Sequence, residues 1–266
     1  MKKIVAAVIF VIILIVFYKL NPSDLKVATE QAQQGQAESQ YDLAVMYKTG
    51  EGVKQSSSKA QQWFEKAAQQ GYAEAQYSLG IIYMTGEGVE QDSIQARHWF
   101  EKAAQQGHAQ AQYNLGVIYN TGEGVEQDYT QAKDWFETSA QQGYAEAQYS
   151  LGLMYESGLG IDQDYSQARH WYRKAAEQDH ASAQYSLGKM YKDGLSVEQD
   201  YTQAKGWFEK AAKKVHADAQ YNLGFMYKNG LGVRQNYDTS KEWFGKACDN
   251  GLQEGCDEYK DLNTRE

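Results

Sequence analysis

Residues 72–107 read YAEAQYSLGIIYMTGEGVEQDSIQARHWFEKAAQQG, and residues 108–143 read HAQAQYNLGVIYNTGEGVEQDYTQAKDWFETSAQQG. The second stretch restates the first after a step of 36 residues. The same step puts Tyr41, Tyr77, Tyr113, Tyr149, Tyr185 and Tyr221 in register, and with them Trp63, Trp99, Trp135, Trp171, Trp207 and Trp243. A fixed period of this size marks stacked helical hairpins, each too small to bury its own apolar face alone.

Each unit parses into two helices. In the first, Ala111, Leu115, Ile118 and Tyr119 recur at i, i+4, i+7 and i+8 and share one helical face. The segment TGEGVEQD then breaks the pattern, with Gly122 and Gly124 free to take positive φ. The second helix is expected to bury Ala132, Trp135, Phe136 and Ala140. Its N-cap falls on Ser56, Asp92, Asp128, Asp164, Asp200 and Asn236, all residues whose side chains accept from a free first-turn N–H. Gly71, Gly107 and Gly143 follow the ends of the first three second helices, as helix C-caps do.

The patterns A-x-A-Q-Y-x-L-G-x-x-Y-x-x-G-x-G-V and A-x-x-W-F-x-K-A-A resemble the Sel1-like repeat family, a relative of the tetratricopeptide solenoids, over roughly residues 36–256. The resemblance implies an all-α fold, a right-handed α-solenoid of six 36-residue helix-turn-helix repeats that works as a scaffold or adaptor. It transfers no catalytic residue and no cofactor. The repeats would occupy residues 36–252, with half-repeat caps at 21–35 and at 253–266, the latter a helix and tail.

Before the repeats, residues 1–20 place Lys2 and Lys3 ahead of an uncharged run from Ile4 to Tyr18, followed by Lys19. Fifteen helical residues span about 22 Å against a bilayer core of about 30 Å, the short limit for a crossing. A cleaved signal peptide shares this layout but ends in small residues. Here the run ends in Val16, Phe17, Tyr18, Lys19 and Leu20. The reading is an uncleaved signal anchor, single-pass in a bacterial inner membrane, with the repeats in the periplasm. A host-interaction factor secreted after cleavage is the alternative.

Only two cysteines occur in the chain, in the stretch KACDNGLQEGC that ends at residue 256. Cys248 stands where the other repeats have Ala68, Ala104, Ala140, Ala176 and Ala212; Cys256 stands where they have Gln76, Gln112, Gln148, Gln184 and Gln220. Both members of a contact pair change together, as a disulfide requires, and the eight-residue spacing resembles that of the cysteine-rich Sel1-like branch. A disulfide would suit an exported chain; two buried thiols are the other reading.

The net charge of −9 excludes nucleic acid, whose phosphates call for a basic patch. Ser56–Lys59 fits the Ser-x-x-Lys of penicillin-recognising enzymes and Lys48–Gly50 their Lys-Thr-Gly, but in reversed order and without a strand. An exported hydrolase of β-lactam or cell-wall peptide is therefore the minor reading, and no catalytic residue is assigned. His108, His180 and His216 alternate with Tyr72 and Tyr144, which indicates packing rather than metal; His98 and His170 read as surface. The variable face lies on the first helix, where one row reads Asp42, Ser78, Asn114, Ser150, Ser186, Asn222 and the next Val45, Ile81, Val117, Leu153, Lys189, Phe225. In a right-handed solenoid this is the concave side. A mixed apolar and amide groove suits an extended peptide or a helix of a protein partner. Asn114, Ser150, Leu153, Lys189, Asn222 and Phe225 are its candidate contact residues. Residues 107–142 carry five acids and one base while 179–214 carry five acids and six bases, so the two stretches present different surfaces to partners.

Overall fold

The computed structural model describes residues 22–264, which are helical apart from short turns and contain no strand. The helices, in chain order, are α1 (Pro22–Gln33), α2 (Ala37–Thr49), α3 (Ser57–Gln69), α4 (Ala73–Thr85), α5 (Ser93–Gln105), α6 (Ala109–Thr121) and α7 (Tyr129–Gln141). They continue as α8 (Ala145–Ser157), α9 (Tyr165–Glu177), α10 (Ala181–Asp193), α11 (Tyr201–Lys213), α12 (Ala217–Asn229), α13 (Tyr237–Asp249) and α14 (Gln253–Asn263). The anchor expected at residues 1–20 lies outside the described residues. Among the described residues, no helix is long and apolar enough to cross a membrane.

Two compact units are distinguished, one ending at Ala111 and one running from Gln112 onward. In the first, α1 packs on α2, α2 on α3, α3 on α4, and α4 on α5. In the second, each helix from α7 to α13 packs on its successor. This consecutive pairing is the packing of an α-solenoid, in which an element touches its chain neighbours and little else.

Local chemistry sets the helix ends. The Asp92, Asp128, Asp164 and Asp200 carboxylates each accept from two first-turn amides, and Ser56 and Asn236 from one. Gly71, Gly107 and Gly143 hold φ of 87°, 88° and 92° just past the second helices. Val215 occupies the same place at φ 64°, an unusual conformation for a β-branched residue.

The core follows the predicted faces, with one correction. Ala111, Leu115, Ile118, Ala132, Phe136 and Ala140 are buried, but Trp135 is half-buried. The phenylalanine, not the tryptophan, is the inner residue: Phe136, Tyr172 and Phe208 seat their rings against Gly116, Gly152 and Gly188, where a Cβ would come within 2.6 Å of the ring. The tryptophan lies on the rim, where a lysine three residues on can cover it. Lys210 sits 4.0 Å from the Trp207 ring centre and Lys246 4.2 Å from Trp243; Trp171, with Lys174 4.5 Å from its ring, is the exception and is buried. The amphipathic ring packs inward while one face stays accessible, which the helical period alone does not distinguish from full burial.

A polar clamp links each second helix to the next first helix across eight residues. Gln76 Nε2 donates to the Ala68 carbonyl at 3.1 Å, Gln148 to Ala140 at 3.1 Å and Gln220 to Ala212 at 3.3 Å. Lateral bonds extend the clamp: Gln178 Nε2 donates to Gln148 Oε1 at 2.8 Å, and Asn250 Nδ2 to Gln220 Oε1 at 2.9 Å. Cys248 and Cys256 occupy this same pair of positions and are disulfide-bonded, with a Cα–Cα distance of 4.6 Å. The disulfide is thus the covalent form of a contact that the other repeats make through an amide.

Candidate interaction surface

The variable face of the first helices is built by α6, α8, α10 and α12 within the second unit. Its inner edge is an aromatic row. Tyr149 stacks on His180 at 4.7 Å and Tyr185 on His216 at 4.6 Å, while Tyr113 meets Tyr144 at 5.3 Å. Each of these tyrosines meets the polar residue of the next repeat: Tyr113 meets Ser150, Tyr149 meets Ser186 and Tyr185 meets Asn222. Burial raises the three phenol pKa values, and the polar neighbours partly offset it. The histidines are held neutral by burial, which lowers the pKa of His108, His180 and His216. His108 and His180 use the lone pair on Nδ1 to accept the Ala111 and Ala183 amides at 3.2 Å, each acting as a helix cap. Metal binding is not needed to explain them.

The candidate residues fall into two classes on this face. Asn114, Ser150 and Asn222 are half-buried. Asn222 is already engaged inside the molecule, with Oδ1 accepting from Lys192 Nζ at 3.3 Å and Nδ2 donating to the Asp218 carbonyl at 2.8 Å. Ser186, in the same row, is buried, so this row serves the repeat-to-repeat contact more than an open groove. The outer row differs. Leu153 is 41% exposed and Phe225 39% exposed. Lys189, at the equivalent position of the repeat between them, is half-buried and has no carboxylate within ion-pair distance among the described residues. Two apolar side chains thus flank one unpaired cation in register.

Four residues beyond the outer row, the next polar side chain is turned back on its helix. Ser157 Oγ donates to the Leu153 carbonyl and Asn229 Nδ2 to that of Phe225, both at 2.8 Å. In the first unit the corresponding face is acidic. Burial and then Glu38 raise the Asp42 carboxyl, while burial and the charges of Glu74, Glu38 and Asp42 push the Tyr72 phenol up to about 12.

Other sequence candidates find structural duties. Ser56 Oγ caps α3 by accepting from the Lys59 amide, and the Lys59 ammonium sits 5.1 Å from the Tyr47 ring centre. The hydroxyl and the ammonium thus each have a structural contact of their own. One polar contact escaped the repeat pattern. Tyr172 replaces the core phenylalanine of α9 and its hydroxyl donates to Glu156 Oε2; burial first, then that bond and charge, drive its pKa far upward. Both residues depart from the consensus of their columns, which was the available signal.

The Sel1 repeat family model matches residues 37–72, 73–108, 109–144, 145–180, 181–216 and 217–252. The chain belongs to the Sel1 repeat family. Among solved structures, this Sel1 repeat chain is similar to c5321, described as a protective antigen present in uropathogenic Escherichia coli strains and displaying an SLR fold. Identity is 39% and the TM-score 0.84, over 89% of this chain and 50% of that one. The chain therefore spans about half the length of that protein. A Sel1 repeat protein from Oxalobacter formigenes is 33% identical with a TM-score of 0.74, over 81% of this chain and 88% of that one. No curated protein matches the chain. Sel1 repeat proteins generally act as protein–protein interaction scaffolds.

Proposed function

We propose that this chain is a bacterial envelope scaffold that docks a protein partner on the outer row of its first helices, within residues 112–266. The observation that carries the reading is the register of Leu153, Lys189 and Phe225. Two exposed apolar side chains flank a cation without an internal partner, on a face whose inner row is already committed to repeat packing. A partner helix or extended segment with an acidic residue between apolar ones would complement it, as apolar anchors supply affinity and the charge sets register.

Placement at the inner membrane, with residues 1–20 as the anchor and the repeats in the periplasm, is part of the same proposal. The apolar run behind two lysines supports it, and so does the Cys248–Cys256 disulfide, since such bonds persist in oxidising compartments.

Photo-crosslinking residues placed singly at 153, 189 and 225 in living bacteria test the docking face, with the exposed position 98 on α5 as control. The three should trap one common protein, and Leu153→Ala with Phe225→Ala should abolish the trapping from position 189. Trapping of that protein from position 98 alone would move the site to the second helices. Intact mass of the cell-purified chain tests the anchor, and loss of the first two dozen or so residues would overturn it.

A further inference from the structure

A second feature lies on α9. The residues at i, i+3, i+4 and i+7 there are Ser166, Arg169, His170 and Arg173, one stripe of the helix, and they line a depression of about 120 Å³. The sister repeats show what this stripe ordinarily holds. Arg97 in α5 pairs with Glu101, Lys133 in α7 with Glu137, and Lys205 in α11 with Glu209, each an i,i+4 ion pair. In α9 the cation is kept as Arg169, but the acid is replaced by a second cation, Arg173.

Two guanidinium groups and an imidazole are therefore gathered without a carboxylate. Neither Arg169 nor Arg173 makes an ion pair among the described residues. Arg173 Nη2 instead donates to the Tyr191 hydroxyl at 3.2 Å, which fixes the guanidinium at the rim. Arg169 Nε is buried without a hydrogen-bond partner. Arg97 Nε is likewise unpartnered, but there Glu101 neutralises the group through Nη1 at 3.7 Å. The Ser166 hydroxyl is bonded to Ser196 Oγ at 3.0 Å, and the guanidinium N–H groups other than the one bonded to Tyr191 are the charged donors of the site.

We propose that this stripe is a binding site for one small oxyanion of the phosphate or sulfate class. Planar guanidinium forks match such groups with paired charge-assisted hydrogen bonds, and an oxyanion held between two forks at i,i+4 would supply the negative charge that the glutamate supplies in the sister repeats. The volume admits a single oxyanion group and is well below that of a nucleotide or drug-sized pocket. Neighbouring positive charge also bears on His170, whose pKa is lowered by burial and then by Lys174 and Arg173. A bound anion would reverse that electrostatic contribution.

The source of the group, free in solution or borne on a lipid, is separated by two arms run on the purified full-length chain. Inorganic phosphate is titrated while the His170 ring signals are followed by NMR, and short-chain phosphatidylglycerol, with short-chain phosphatidylcholine as control, is titrated in the same way, because vesicles would take up the chain through residues 1–20 whatever their headgroup. The decisive variant is Arg173→Glu, which recreates the ion pair of α5, α7 and α11 and therefore folds as they do. Expected is saturable binding of phosphate, or of the phosphatidylglycerol headgroup, that raises the His170 pKa, with affinity falling on the order of tenfold or more in Arg173→Glu. Phosphate binding alone assigns a free oxyanion, and phosphatidylglycerol binding that phosphatidylcholine does not reproduce and Arg173→Glu weakens assigns a lipid headgroup. Binding in neither arm, or binding that Arg173→Glu leaves unchanged, overturns the proposal.

Discussion

Replacing the terminal disulfide by the clamp of the other repeats tests how the solenoid end is held. The double variant Cys248→Ala with Cys256→Gln restores the residue pair that elsewhere joins a second helix to the next first helix. Closing a loop with a sequence separation of 8 gives a disulfide contribution of about 2.5 kcal/mol by the chain-entropy estimate. A buried neutral hydrogen bond such as Gln148 to Ala140 returns about 0.5–1.5 kcal/mol. The Ala/Gln variant should therefore be roughly 1–2 kcal/mol less stable at this end than the oxidised protein, and Cys248→Ala with Cys256→Ala the full 2–3 kcal/mol or so. Because α14 packs on α13, its sequence neighbour, the loss should stay local. Amide hydrogen exchange of the peptide covering residues 250–263 is the appropriate assay, with and without reductant. Protection should rank wild type, then Ala/Gln, then Ala/Ala, and reductant should affect wild type alone. Equal protection in the two double variants would show that the amide clamp does not substitute for the disulfide, and the equivalence drawn between them would fail.

Phe136→Ala should cost about 3–5 kcal/mol, as for large buried aromatics, and Trp135→Ala distinctly less, since only the former is buried; denaturant midpoints that rank them the other way would contradict the inner seat of the phenylalanine. Gly143→Val should destabilise by roughly 1–2 kcal/mol for backbone reasons alone, because a Cβ there meets nothing within 4 Å; an unchanged melting temperature would refute that. His108, His180 and His216 have pKa values lowered from the usual 6.5 by burial, so the unfolded chain binds more protons than the folded one in mild acid. Their contribution is fully present above pH 6.5 and is lost as pH falls below it. Replacing all three by tyrosine, the residue at 72 and 144, should flatten the decline in melting temperature between pH 6.5 and 5, and a variant with an unaltered slope would count against the assignment.

Repetition made the helices legible. Because the same sentence recurs six times, positions that carry capping residues, turn glycines and apolar faces identify themselves by agreement across copies, and Asp128, Gly143 and Leu115 do what the pattern requires. The pairing of Cys248 with Cys256 was visible for the same reason, as two columns departing together. The rank order of the core was less legible. A helical period places Trp135 and Phe136 on adjacent parts of one face, and only the close approach of the Phe136 ring to Gly116 decides which goes inside.

The functional face shows the same division. Local sequence determined which residues vary on the first helix, since helical geometry alone puts Asn114, Ser150 and Asn222 in one row and Leu153, Lys189 and Phe225 in another. Whether a row is open depends on the neighbouring repeat, through contacts 30 or more residues away that no local pattern encodes. Lys192 reaches Asn222 across a separation of 30, and Tyr149 covers Ser186, so the polar row is largely spent on packing while Leu153 and Phe225 remain in solvent. The exchange of Glu for Arg at 173 was written in the sequence, but its consequence, two cations lining one depression with no carboxylate in reach, exists only once α9 is folded and its neighbours are in place.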